Sequence, residues 1–162
     1  ALKKSNIKDV DFIMNLQGDE PAIDIQDIVR LNDKMLQNHT KIGTLAAIIK
    51  ENKNLKNENI VKVITENALG ENNFPKGISF LRKSESIDNI YHHIGVYCYS
   101  KDSLEKFVQL SQSKNEIENR LEQLRALDNN IDINVSLAKS SPIGVDTEED
   151  YLALKKIMEY KN

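Results

Sequence analysis

Residues 10–16 read Val-Asp-Phe-Ile-Met-Asn-Leu and are stopped by Gln17-Gly18. A short apolar run closed by a glycine turn suits a strand buried on both faces, as in a parallel sheet. An amphipathic segment follows. From Asp24 to Gln37, the residues Ile25, Ile28, Val29, Asn32, Met35 and Leu36 share one stripe at spacings of three and four, with Asp24 placed to cap the helix. A second apolar run, Gly43 to Ile49, is the next strand. Strand, helix and strand in this order constrain the chain more than any other feature. They predict an α/β layer, with ligands bound beyond the carboxyl ends of the strands.

The rest of the chain departs from simple alternation. Residues 1–8 resemble the tail of a helix, and residues 50–59 are polar enough for a solvated loop. Strands are predicted at Ile60–Thr65, Ile78–Leu81 and His92–Tyr99, and the Ala-Leu-Gly-Glu-Asn-Asn stretch carries turn chemistry. Helices are predicted at Asp102–Leu110 and Asn115–Leu127. Period-two alternation marks a strand at Asp132–Ala138, and Thr147-Glu-Glu-Asp150 resembles a capping box opening a last helix to Tyr160. The expected architecture is one α/β domain over 1–162 with an antiparallel insertion over about 60–100.

Charge and cysteine usage remove several classes of function. With 162 residues and a formal net charge of −3, the chain is a poor candidate for gripping nucleic acid. No run approaches the ~18 apolar residues of a membrane helix, and no apolar leader follows the first charges. A single cysteine, Cys98, excludes an intrachain disulfide and a cysteine-ligated zinc, and a reducing compartment is expected. Cys98 lies in an apolar strand and is expected to be packed and inert.

Five places could carry chemistry. Gln17-Gly-Asp19-Glu-Pro21 follows a strand directly, and a carboxylate there suits a hard cation such as Mg²⁺; the plainer reading is a loop acid before a helix. Asp146, in Gly144-Val-Asp-Thr147, is either a helix cap or a second cation ligand. His92 and His93 are adjacent in a strand, so they point to opposite faces and do not chelate together. The charges between Asn115 and Arg125 read as a solvated, ion-paired helix face. Arg82, one of only four arginines, is either a surface residue or a fork for a carboxylate.

Taken in order, six fragments change the reading: Asn15-Leu-Gln17-Gly-Asp19-Glu-Pro21, Val61-Lys62-Val63, Phe80-Leu-Arg82, His93-Ile-Gly95-Val-Tyr97, Leu121-Glu-Gln-Leu-Arg125 and Gly144-Val-Asp146-Thr-Glu-Glu-Asp150. Together they resemble the 3-deoxy-manno-octulosonate (Kdo) cytidylyltransferase, or CMP-Kdo synthetase, family from about Val10 onward. The resemblance implies transfer of CMP from CTP to the anomeric hydroxyl of Kdo, giving CMP-Kdo and pyrophosphate for lipopolysaccharide synthesis. It implies a nucleotidyltransferase-like three-layer sandwich and a homodimer formed through the antiparallel insertion. It implies Asp19 and Asp146 as catalytic, Mg²⁺-binding aspartates. Gln17, Arg82, His93, Glu122 and Gln123 are implied as lining or bordering the sugar site. Two rival expectations are a cytidylyltransferase for another sugar acid, such as a sialic acid, and a non-catalytic binding or dimerisation module.

The chain departs from the family pattern in three ways. It begins just before the Gln-Gly-Asp-Glu-Pro strand, so the family's N-terminal strand, its phosphate loop resembling RLPxKPL, and a Gly-Thr-x-Arg segment have no counterpart. The expectation is an incomplete, impaired cytidylyltransferase domain that self-associates or rearranges at its N-terminus. Leu81 stands where the family has Ser, and Ser100 where it has Arg. Lys114 and Asn119 replace a usual Pro and Glu.

Overall fold

The computed structural model describes residues 9–17, 22–85, 87–139, 148, 151, 152, 155 and 156. The expected helix tail at 1–8, the loop acids Asp19 and Glu20, and Asp146 lie outside them. Five residues of the expected last helix (148, 151, 152, 155 and 156) are helical.

Among the described residues, six strands form one mixed sheet: β1 (Phe12–Asn15), β2 (Ile42–Ala47), β3 (Lys62–Thr65), β4 (Gly77–Leu81), β5 (Ile90–Ser100) and β6 (Ile133–Leu137). The order is β4-β3-β5-β2-β6, with β1 paired to the other end of the long β5. β5 runs antiparallel to β1, β2 and β3, whereas β2 and β6 are parallel. Hence β1, β2 and β6 all point the same way and end at the same sheet edge.

Side-chain alternation along β5 divides the core in two. Ile94, Val96 and Cys98 pack with Leu45, Ala47, Leu31 and Met35 beneath α1 (Ile25–Asn38). Tyr97 and Tyr99 pack on the opposite face with Ile42, Val63, Phe80, Phe107, Leu121, Leu124, Ile133 and Val135. That face is covered by α3 (Lys101–Phe107), α4 (Lys114–Asn119) and α5 (Leu124–Asp128). Helix, sheet and helix make three layers. Cys98 is buried as expected, and burial raises its thiol pKa to about 11.

Five local expectations need correction. The stripe assigned to α1 is rotated. Leu31 and Met35 are buried with Asp27 and Lys34, while Ile25 is 70% exposed and Val29 and Leu36 are exposed too. Two bonds set this rotation. Asp27 accepts the Lys139 backbone N–H, and the Lys34 ammonium donates to the Asn73 carbonyl at 2.7 Å. The polar 50–59 segment contains a short helix, α2 (Lys53–Lys56), anchored by buried Leu55. Residues 115–127 are not one helix. Arg120 takes a left-handed conformation (φ 54°) and ends α4, which lets Leu121, Gln123, Leu124 and Ala126 all turn inward. The charges there are not merely a solvated face. Buried Glu116 completes a capping box with Ser113 and accepts Arg125 Nε at 2.8 Å across the break, which holds its carboxyl down at about 2. β1 is also only partly buried, not enclosed on both faces.

Candidate functional site

The chain leaves β1 and β6 at the same edge of the sheet, and the β2 end reaches His92 of β5 there, since Ala47 pairs with His92. Just past β1, Gln17 folds its side chain over Gly95. A Cβ built on Gly95 meets Gln17 Oε1 at 2.7 Å and Cδ at 3.3 Å. Gly95 lies where the β2–β5 register shifts, between the Thr44–Tyr97 and Leu45–Ile94 pairs. Such a bulge re-aims neighbouring side chains. Here it lies between His93 and Tyr97, whose rings are 5.5 Å apart on the same face.

His93 is buried against the edge of Phe80, with ring centroids 5.1 Å apart. Its Nε2 lies 3.0 Å from Thr44 Oγ1, and that hydroxyl is also 2.8 Å from the Val96 carbonyl. A hydroxyl has one proton, and the carbonyl only accepts, so Thr44 donates to Val96 and His93 Nε2–H donates to Thr44. This assignment makes Nδ1 the acceptor nitrogen. Burial, helped by His92, lowers the His93 pKa to about 3, so the ring is neutral at neutral pH. His92 is lowered to about 4, chiefly by burial. Burial also holds the Tyr97 and Tyr99 hydroxyls well above their usual range, and the nearby Glu122 carboxylate adds to this. Both phenols are therefore protonated donors.

Gln17, His93, Tyr97 and Glu122 thus gather on the face away from α1. Glu122 is exposed, while Gln123 beside it is buried at the start of α5. Arg82, just past β4, reaches the same turn but spends its donors on backbone. Nε donates to Asn119 O at 3.1 Å, Nη2 to Arg120 O at 3.1 Å and Nη1 to Glu58 O at 3.0 Å. Asp19 and Asp146 lie outside the described residues. Among the described residues no group of three or more His, Cys, Asp or Glu could hold a metal ion. The chain beyond β6 is tied to the first turn of α1: Asp27 accepts Lys139 N–H at 3.1 Å and Arg30 Nη1 at 2.6 Å, and Arg30 also donates to Leu137 O.

Three residues carry more of this geometry than their sequence context suggests. Tyr97 has a signal, because its place two residues past Gly95 puts it on the His93 face. Thr44 and Asp27 have none, since each looks ordinary until the chain is folded. A polar cleft of about 410 Å³ lies elsewhere, lined by residues that include Arg30, Asp33, Lys34, Glu71 and Phe74. It sits beside α1, across the sheet from His93 and Tyr97, and mixes both signs of charge. No described helix is long and apolar enough to cross a membrane.

Comparison with known proteins bears on the family and the fold. The cytidylyltransferase family model matches residues 1–133. A Bartonella henselae protein named 3-deoxy-manno-octulosonate cytidylyltransferase is 39% identical over 148 residues, which are 90% of this chain and 60% of that one. A Brucella ovis protein of the same name is 36% identical over 144 residues, 88% of this chain and 57% of its own length. The chain therefore spans about 60% of the length of these relatives. The solved structure of CMP:2-keto-3-deoxy-manno-octonic acid synthetase complexed with CTP superposes with a TM-score of 0.84 at 26% identity, covering 96% of this chain and 64% of that one. A Francisella tularensis 2-C-methyl-D-erythritol 4-phosphate cytidylyltransferase shares the fold, with a TM-score of 0.61 at 18% identity over 96% of this chain and 63% of that one. Both the matched model and the three-layer architecture lead to one assignment: this chain belongs to the cytidylyltransferase family.

Proposed function

We propose that the chain forms the sugar-acid and metal-binding part of an enzyme that transfers CMP from CTP to Kdo, releasing pyrophosphate. The observation that carries this reading is the gathering of Gln17, His93, Tyr97 and Glu122 on one face of β5. The names of the relatives point to the same substrate. Kdo is a polyhydroxylated acid, so its site needs donors and acceptors in fixed places. Neutral His93 offers an acceptor nitrogen, Tyr97 a protonated hydroxyl, Gln17 both kinds of group and Glu122 acceptors. Arg82 and Gln123 border the site.

In the transfer, the anomeric oxygen of Kdo bonds to the α-phosphorus of CTP as the bond to pyrophosphate breaks. This chain's residues hold the attacking hydroxyl in place, and positioning of that kind is worth several powers of ten in rate. Asp19 and Asp146 would hold Mg²⁺. Carboxylates are the right donors for it, and the chain leaves β1 and β6 at one edge. When bound, that ion supplies charge neutralisation at the phosphates. A homodimer through the β3–β4 pair is part of the same reading, supported by Ile78, 58% exposed on β4. The reaction is assigned to the cytoplasm, where CTP is available.

Calorimetric titration with Kdo, with and without CTP and Mg²⁺, tests the reading. Kdo should bind, bind more tightly with CTP and Mg²⁺ present, and lose that gain in Asp19→Asn. N-acetylneuraminate should not compete. Absence of Kdo binding under every condition, or equal binding of N-acetylneuraminate, would overturn it.

A further inference from the structure

Lys62 is a charged residue with no exposed surface, and none of the chemistry above uses it. Its ammonium donates to the Asn57 carbonyl and to the Arg82 carbonyl, each at 2.6 Å. Among the described residues it makes no ion pair. A buried ammonium held only by backbone oxygens is costly unless the contacts fix something.

What they fix is the backbone of Arg82. Lys62 pairs with Leu81 and His92, so its side chain lies across the sheet from Phe80 and His93. From there it pins Arg82 by its main chain. The Arg82 side chain then reaches the face that bears His93 and Tyr97, where it holds Glu58 O, Asn119 O and Arg120 O. The bonds close a loop: Lys62 holds residues 57 and 82, and Arg82 holds 58 and 119–120. The next residues after that loop are Leu121, Glu122 and Gln123. Two of the three carbonyls that Arg82 takes, Asn119 O and Arg120 O, are those freed where α4 stops at Arg120.

We propose that Lys62 and Arg82 form a two-cation staple that positions Glu122 and Gln123 against His93 and Tyr97. Lys62 is a positioning residue acting through Arg82, and Arg82 serves this backbone before it serves any ligand. The effect on ligand affinity rests on the sugar-acid reading above; the effect on the α4–α5 turn does not.

The experiment has two arms, on the full chain. The first is amide hydrogen exchange without ligand, read at Leu121, Leu124 and Arg125, whose N–H groups are bonded within the turn. Lys62→Met keeps the length of the side chain and removes its donors. It should speed exchange at these three amides about tenfold, leaving the β2 and β6 amides unchanged. Arg82→Lys, which cannot reach three carbonyls together, should do the same, and carries the test if Lys62→Met does not fold. The second arm is Kdo affinity. Lys62→Met should weaken it about tenfold, the scale for support groups behind a site. The double variant should be no weaker than Arg82→Lys alone. Uniform acceleration of exchange, no change at the turn, or additive losses of affinity would overturn the staple. If the parent chain takes no Kdo, the proposed function falls, and the exchange arm decides the staple by itself.

Discussion

Gly95→Ala is the substitution that separates fold from site most cleanly. Gly95 has no positive φ, so an alanine fits its backbone. The added Cβ would lie 2.7 Å from Gln17 Oε1, and ordinary contact begins at 3.4 Å, so the Gln17 amide must retreat by about 0.7 Å. Gln17 is exposed and flexible, so retreat costs the fold little. Replacing glycine where the backbone allows it also restricts the unfolded chain, a gain of about 0.4–1 kcal/mol. The two effects should leave stability within about 1 kcal/mol of the parent, or roughly 2–4 °C in Tm for a chain of this size. Affinity for Kdo behaves differently. A group displaced by ~1 Å in a positioned site can cost on the order of 100-fold, so about tenfold is expected here. Gly43→Ala is the control. Its Cβ would meet Met35 Sδ at 2.5 Å, with Leu31 Cδ1 and Phe74 Cζ at 3.0 Å. Those atoms are packed core, and overpacking should cost about 1–3 kcal/mol. Thermal unfolding and Kdo calorimetry on both variants decide the matter. If Gly95→Ala loses as much stability as Gly43→Ala, or leaves Kdo affinity unchanged, the placement of Gln17 over Gly95 is wrong.

Other outcomes follow from the same geometry. His92 and His93 have folded pKa values near 4 and 3, below the usual 6.5, so the unfolded chain binds more protons and stability should fall as pH drops below about 6.5. Between pH 6.5 and 5, above the range where Glu116 begins to contribute, His93→Gln should remove up to about 1.4 kcal/mol per pH unit of that slope, and an unchanged urea-midpoint profile would contradict it. Asp27→Asn loses the Arg30 pair and should cost about 1–3 kcal/mol in urea unfolding, less than for a fully buried pair because the Arg30 side chain is 28% exposed. Thr44→Val removes the acceptor for His93 Nε2–H and should cost about 1–3 kcal/mol, with the His93 ring proton shifts changing in NMR spectra.

Strand positions were legible in the sequence because these strands carry their own apolar runs: Phe12–Asn15 and Ile133–Leu137 fall inside expected segments, and Ile42–Ala47 overlaps the expected Gly43–Ile49. The face of α1 was not. Hydropathy favoured Ile25 and Val29, but the helix is rotated by Asp27 and Lys34, whose partners lie 112 and 39 residues away. No local pattern contains such partners. The break at Arg120 was hidden for a similar reason, since the carbonyls it frees are taken by Arg82, 37 and 38 positions earlier. His93 was legible as a one-sided strand residue, and Gln17 and Glu122 through the resemblance. Their meeting depends on the β5 bulge at Gly95, which is a register feature and leaves only a glycine in the sequence.

The central claim is that a sugar acid sits on the Gln17–His93–Tyr97–Glu122 face. Titration of the labelled chain with Kdo, followed by the His93 and Tyr97 ring signals and the Gly95 amide in NMR spectra, tests it directly. The account predicts that these signals move together and saturate, while those of Arg30, Lys34 and Phe74 beside α1 stay in place. Shifts confined to the α1 cleft, or none at His93 and Tyr97, would contradict it.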